Sequence, residues 1–271
     1  MNGKVRHSLR LTAMLYLLDY GAGNIQSLAN SLTKLGYTYE WVREPSDISK
    51  ADKLLFPGVG SFASAMDALH AKGYVEPLRA YIQSGKPLMG ICVGMQVLFE
   101  GSDESPGVQG LGIVPARVGR FATQDAFGRK AVPHMGWSLA NVVEWDGCAD
   151  QRHELAKSYG MHDANPSHYY FVHSYRVAWD ANVAEWALTT TQYGNEIFVS
   201  SIQHANVFAT QFHPEKSGQA GLDLLAAWLQ LEHVEPTTRV GRPVTSTEHM
   251  PTRRIVACLD VRSNDAGDLV V

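Results

Sequence analysis

Short apolar runs alternate with amphipathic segments along the first hundred residues. Met14 to Tyr20, "MLYLLDY", is apolar and runs into "GAGN". Ile25, Leu28, Leu32 and Leu35 then recur at three- and four-residue steps, which predicts a helix with Gly36 as its stop. "YEWV" reads as a strand, and "DKLLFPGVG" as an apolar strand entering a glycine turn. "FASAMDALHAKG" and "YVEPLRAYIQSG" have helical periodicity and end on glycine. "KPLMGIC" predicts a strand and "VGMQVLFE" a helix. Strands alternating with helices predict a doubly wound α/β fold with parallel pairing.

The texture changes in the second half. "IVPARVGRF", "YYFVHSYRV", "EWALTTTQYG", "EIFVSSIQ" and "VFATQFHP" read as strands joined by tight turns, an antiparallel-rich region packed on the same sheet. "GLDLLAAWLQL", residues 221–231, predicts a closing amphipathic helix. The pattern divides the chain into a leader at 1–13, a domain at 14–231, a linker rich in proline, threonine and charge at 232–252, and a final stretch at 253–271 that begins like a buried strand.

Composition adds exclusions. The 271 residues are 45% hydrophobic and carry a net charge of −4, so no basic surface invites nucleic acid or anionic membrane. No run approaches the roughly 20 apolar residues of a membrane span. Three scattered cysteines, Cys92, Cys148 and Cys258, argue against a disulfide framework and for a reducing compartment. They have no structural zinc spacing, and no metal is expected. A cytoplasmic location is the expectation, with a plastid or other organelle the alternative if a targeting leader is missing.

Chemistry concentrates where strands end. In open α/β sheets, sites gather at the carboxyl ends of strands, and "GAGN", "PGVG" and "GICVG" all belong there. In "GICVG", Gly90 and Gly94 flank Cys92 at two-residue spacing. That is the spacing of a nucleophile elbow with sulfur in place of oxygen. A helix beginning at the thiol would favour thiolate through its dipole. The competing reading is a small buried hydrophobe. "TQFHPEKS" supplies a base and its orienter: His213 and Glu215, two apart in extended chain, face the same way, and Pro214 holds His213 out of the helical region. Taken alone, that text reads equally as a surface turn. The "PGVG" turn, Pro57 to Gly60, offers backbone N–H groups for an oxyanion, or is an ordinary strand-to-helix turn. His134 and His173 read as structural residues, and Trp137 as core or contact surface.

On the ordered text "DYGAGN", "FPGVGSF", "GKPLMGICVGMQ", "VPHMGW", "YFVHSY" and "QFHPEKS", the chain resembles the class I glutamine amidotransferases over roughly residues 14–231. Within them it is most similar to the glutaminase part of the imidazole glycerol phosphate synthases. The resemblance implies a flavodoxin-like mixed α/β sheet and a Cys92–His213–Glu215 triad. It further implies an oxyanion loop at Gly58, Val59 and Gly60, with Val59 reorienting before its amide donates. Val93, Gln96, Glu104, Ser174 and Tyr175 complete the implied oxyanion and glutamine-binding set. Glutamine is the implied substrate, with no cofactor. "TRRIVACLDVRSNDAGDLVV" resembles the first strand of a (β/α)₈ cyclase barrel, with Asp260 at its acid/base position. The implied partner is therefore a cyclase, in cis or as a separate subunit. Two departures are Ser138, where the family usually has asparagine, and residues 147–168, which are longer than the compact family pattern and read against it as a surface insertion. The alternative function is an inactive or regulatory remnant of a truncated fusion.

Overall fold

A computed structural model describes residues 13–21, 25–126, 128–145, 149–161, 167–180 and 182–231, with three two-residue strands at 241–242, 262–263 and 269–270. The expected leader, the linker and the cyclase-like stretch with Asp260 lie outside the described residues but for Ala13 and those short strands.

In chain order the elements are β1 (Leu15–Leu18), α1 (Gln26–Lys34), β2 (Glu40–Val42), α2 (Pro45–Lys50), β3 (Lys53–Gly58), α3 (Phe62–Ala71) and α4 (Val75–Gln83). Then come β4 (Leu88–Cys92), α5 (Val93–Gln96), β5 (Phe99–Ser102), β6 (Val114–Arg120), β7 (Gln124–Asp125), β8 (Gly128–Arg129), β9 (His134–Leu139), β10 (Asn141–Val142) and β11 (Glu144–Trp145). The domain continues with α6 (Ala149–Ser158), β12 (His168–His173), β13 (Tyr175–Arg176), β14 (Ala187–Tyr193), β15 (Glu196–His204), β16 (Val207–Thr210) and α7 (Gly218–Gln230).

The main sheet has eight strands in the order β2-β1-β3-β4-β16-β15-β14-β10. From β2 to β16 every neighbour is parallel; β15, β14 and β10 extend it antiparallel. The sequence pattern follows from this placement. β1 and β4 are buried along their whole length, so they read as continuous apolar runs. β6 alternates buried and exposed positions because one face meets water. The sheet order reverses between β1 and β3, the switch point at which doubly wound folds open a crevice.

Three expectations change. The helix after Cys92 lasts only from Val93 to Gln96; Phe99–Ser102 turns into β5, pairing with β6 in a second sheet. "YYFVHSYRV" is not one strand: it breaks at Ser174, so that β12 pairs with β9 and β13 with β6. The antiparallel half is therefore split, part extending the main sheet and part forming small sheets over its carboxyl edge. The segment read as a surface insertion also reaches the core. Tyr159 is buried, stacks on Phe208 at 4.2 Å between ring centroids and donates to Gln203 Oε1 at 2.5 Å. The pattern gave no sign of α2, whose Pro45 start and Glu44–Asp47 capping box define it locally.

Lys53 ties the two ends of the domain together. Its buried ammonium donates to the carbonyls of Trp228 (3.2 Å), Leu229 (2.7 Å) and Leu231 (2.5 Å), the unpaired end of α7. A cation at a helix C-terminus meets the negative pole of the dipole. α7 is thereby locked against β3, and the turn that precedes α7 carries His213.

Candidate active site

Cys92 is the last residue of β4 and the residue at which the chain turns into α5. Its φ of 54° and ψ of −111° lie where side chains other than glycine are strained. Packing around the corner leaves no alternative. A Cβ on Gly94 would overlap the Phe56 carbonyl, and one on Gly90 would sit 2.8 Å from the Gly94 carbonyl oxygen and 3.1 Å from Ala209 Cβ. Gly58, paired in register with Cys92, has the same restriction: a Cβ there would lie 2.8 Å from the Tyr20 hydroxyl and against the Gly94 amide. The three glycines let β3, β4 and α5 approach closely, which is the packing reason behind the elbow spacing.

His213 follows β16, the neighbour of β4. Its Nδ1 lies 2.7 Å from Glu215 Oε1, and both side chains are almost wholly enclosed. Backbone bonds fix the turn. The His213 N–H donates to the Tyr170 carbonyl at 2.9 Å. Ser217 Oγ donates to the His213 carbonyl at 2.6 Å and accepts the Tyr170 N–H at 3.0 Å. Ser217 thus clamps the histidine turn to β12, a role carried by an unremarkable serine in the sequence. Burial opposes a charge on His213. The Cys92 charge, its hydrogen bond to the ring and the Glu215 carboxylate outweigh that penalty, and the imidazolium is pushed up to about 10. The proton affinity of His213 thus depends on both the elbow sulfur and Glu215.

The glycine turn Gly58–Gly60 runs beside the elbow, with Gly60 at φ +93°. A small cleft lined by Ile25, Pro57, Gly58, Val59 and Ile91 opens onto His213 and Glu215. Behind Gly58 lies the Tyr20 hydroxyl, buried and without a hydrogen-bond partner that meets ordinary geometry. Burial, then the Cys92 charge, raises the Tyr20 proton affinity above the ordinary phenol range.

The other residues singled out in the sequence fall in two groups. Gln96, Val93 and Tyr175 surround the elbow's far side: Gln96 Nε2 donates to the Tyr175 carbonyl at 3.2 Å and to Gln211 Oε1 at 2.9 Å. The Ser174 carbonyl accepts the Phe121 N–H at 3.1 Å, which anchors the break between β12 and β13. Glu104 Oε2 accepts the Phe62 N–H at 2.8 Å and caps α3 just after the Gly58–Gly60 turn. His134 and His173 sit in an aromatic cluster with Phe121, Phe171, Phe198 and Tyr193. Burial pushes His134 down to about 3 and His173 well below the ordinary range, so both rings are neutral. Ser138 accounts for one nitrogen of His134, at 3.0 Å. Trp137 and Met135 are exposed at 47% and 56%, so Trp137 is surface and not core. Gln211, which no motif in the sequence marks, is fully buried and its side chain reaches Cys92.

Comparison with known proteins adds the family. The model for class-I glutamine amidotransferases matches residues 16–229. The chain is 46% identical over 260 residues to the imidazole glycerol phosphate synthase hisHF of Emericella nidulans, covering 95% of this chain and 45% of the relative. It thus spans less than half the length of that relative. It is 41% identical to the imidazole glycerol phosphate synthase subunit HisH of Methanothermobacter thermautotrophicus, covering 80% of this chain and 98% of that subunit. A crystal structure of a glutamine amidotransferase shares the fold at a TM-score of 0.54 and 20% identity, over 79% of this chain and 98% of that one. With the family model covering the whole sheet and both halves of the cysteine–histidine pair, this chain belongs to the class-I glutamine amidotransferases.

Proposed function

We propose that the chain hydrolyses glutamine and supplies the ammonia to a (β/α)₈ cyclase, fused in cis or bound as a subunit, in the imidazole glycerol phosphate synthase reaction of histidine biosynthesis. The observation that carries this is the strained Cys92 elbow facing the buried His213–Glu215 pair. The names of the hisHF and HisH relatives support the pathway.

In this reading the Cys92 sulfur attacks the glutamine side-chain amide carbon. The carbonyl π electrons move to oxygen, and the backbone N–H groups of the Gly58–Gly60 turn and Val93 receive the negative charge. The His213 imidazolium gives its proton to the amide nitrogen, the C–N bond breaks, and ammonia leaves a γ-glutamyl thioester. Neutral His213 then takes a proton from water. The hydroxide attacks the thioester, glutamate departs and the thiolate is restored. Glu215 keeps the imidazole oriented and stabilises its charge. Gln96 and the Ser174–Tyr175 backbone hold the substrate glutamine.

The test is Cys92→Ala in a protein that includes the cyclase. Glutamine-dependent turnover should vanish while turnover fed with ammonium salts is retained. Surviving glutamine-dependent turnover would remove Cys92 from the chemistry.

A further inference from the structure

α5 has a single turn. A helix of that length offers the sulfur little dipole, since the macrodipole is built from aligned peptides over several turns. The His213 cation is one group that favours the anion, and a second lies beside the sulfur. Gln211 Nε2 lies 3.7 Å from Cys92 Sγ, within hydrogen-bonding range for sulfur, and the residue is fully buried. Its backbone N–H is fixed to the Ser200 carbonyl at 2.9 Å.

The direction of the Gln211 amide follows from its neighbours. The Tyr175 carbonyl can only accept, so the Gln96 group facing it at 3.2 Å must be the NH₂. The same nitrogen approaches Gln211 at 2.9 Å, so the Gln211 atom there must be the oxygen. That leaves the Gln211 NH₂ towards the sulfur. His173 Nδ1 also donates to the Tyr175 carbonyl, at 2.8 Å, which holds that acceptor in place. The chain of donors has one polarity, and it ends on Cys92. A donor at sulfur favours the anion over the thiol, and buried networks of aligned donors strengthen one another.

We propose that Gln211 is a positioning residue that donates its side-chain amide to the Cys92 sulfur, favouring thiolate, in an orientation set by Gln96 and the Tyr175 carbonyl. This rests on the reading of Cys92 as the nucleophile. Because Gln96 belongs to the proposed glutamine site, the relay joins substrate binding to the sulfur. The other titratable groups bearing on the sulfur are His213, from the turn after β16, and Tyr20, from the end of β1. Gly58, paired with Cys92 on β3, and Thr210, paired with Ile91 on β16, carry no charge.

The experiment measures Cys92 alkylation by iodoacetamide against pH in the full chain, for wild type, Gln211→Leu and Gln211→Glu. Gln211→Leu removes the donor, and its alkylation midpoint should rise by about one pH unit, a roughly tenfold loss of thiolate below the midpoint. Gln211→Glu retains shape and the contact to Gln96 but places a carboxylate at the sulfur, so its midpoint should rise further. Midpoints equal to wild type in both folded variants would overturn the proposal. Should the variants not fold, the wild type still decides. The side-chain ¹⁵N resonance of Gln211 should move with the same midpoint as Cys92 alkylation mapped by mass spectrometry, and a resonance indifferent to that titration overturns the proposal. A wild-type Cys92 that resists alkylation at every pH would instead count against the nucleophile reading itself.

Discussion

Replacing Cys92 by glycine should cost almost nothing beyond what replacing it by alanine costs, or should recover stability. In an ordinary extended position an Ala-to-Gly change is destabilising twice over. The unfolded chain gains freedom worth about 0.4–1 kcal/mol, and the lost buried methyl is worth about 0.8 kcal/mol. At a buried residue such as Cys92 those terms come to about 1.5 kcal/mol in favour of alanine. The backbone there, at φ 54° and ψ −111°, adds an opposing contribution, since a side chain in such a region costs on the order of 1–3 kcal/mol that glycine does not incur. The Gly58, Gly90 and Gly94 contacts prevent the corner from relaxing to a cheaper conformation. The Cys92→Gly protein should therefore lie between about 0.5 kcal/mol less and 1.5 kcal/mol more stable than Cys92→Ala. Urea unfolding followed by tryptophan fluorescence would measure this, with equal m-values required for the comparison. A Cys92→Gly protein less stable than Cys92→Ala by the ordinary ~1.5 kcal/mol would refute the claim that the elbow stores strain.

Other perturbations test the surrounding parts. The His213 imidazole should keep its proton to about pH 10 by NMR; since that value lies above the 6.5 of an unperturbed histidine, its contribution to stability is complete below pH 6.5 and is lost as the pH rises through about 10. Cys92→Ala removes the largest favourable influences on that proton, so in this variant the His213 titration should move down and the alkaline loss should disappear. Gly94→Ala puts a methyl into the Phe56 carbonyl, so folded protein should be destabilised by about 1–3 kcal/mol or more, and alkylation of Cys92 should lose its site selectivity. Lys53→Met leaves the carbonyls at the end of α7 without their donor. Thermal unfolding should report a loss of about 2–4 kcal/mol, while the alkylation behaviour of Cys92 in the folded protein stays as in wild type.

Much of this architecture was legible because the sequence repeats it locally. β1, β3 and β4 are buried on both faces and read as unbroken apolar runs, and glycines mark where they end. The elbow was legible because Gly90 and Gly94 answer to close backbone approach, a requirement that few other residues could meet. His213 and Glu215 do meet, within 2.7 Å, but not by extended-chain spacing: Pro214–Lys216 is a 3₁₀ turn, and it is this turn after His213 that brings the carboxylate to the ring. What stayed hidden depends on partners distant in sequence. The one-turn length of α5 is set by β5 leaving to pair with β6, which no helical pattern in "VGMQVLFE" reveals. No pattern in the sequence shows that the Glu104 carboxylate caps α3 at the Phe62 N–H. Tyr159 sat in polar text, and its burial is visible only once Phe208 lies beneath it. Gln211 and Ser217 flank the histidine motif, yet their hydrogen bonds to Cys92 and Tyr170 are long-range facts of the fold.

The central claim is that Cys92 is a glutamine-directed nucleophile worked by His213. Treating the full chain with a glutamine-mimicking electrophile such as a diazoketone, with the cyclase present, and mapping the adduct by mass spectrometry tests it directly. The account predicts one adduct per chain, on Cys92, slowed by excess glutamine and largely lost in His213→Ala. No adduct on Cys92, or labelling that ignores both glutamine and His213, would contradict it.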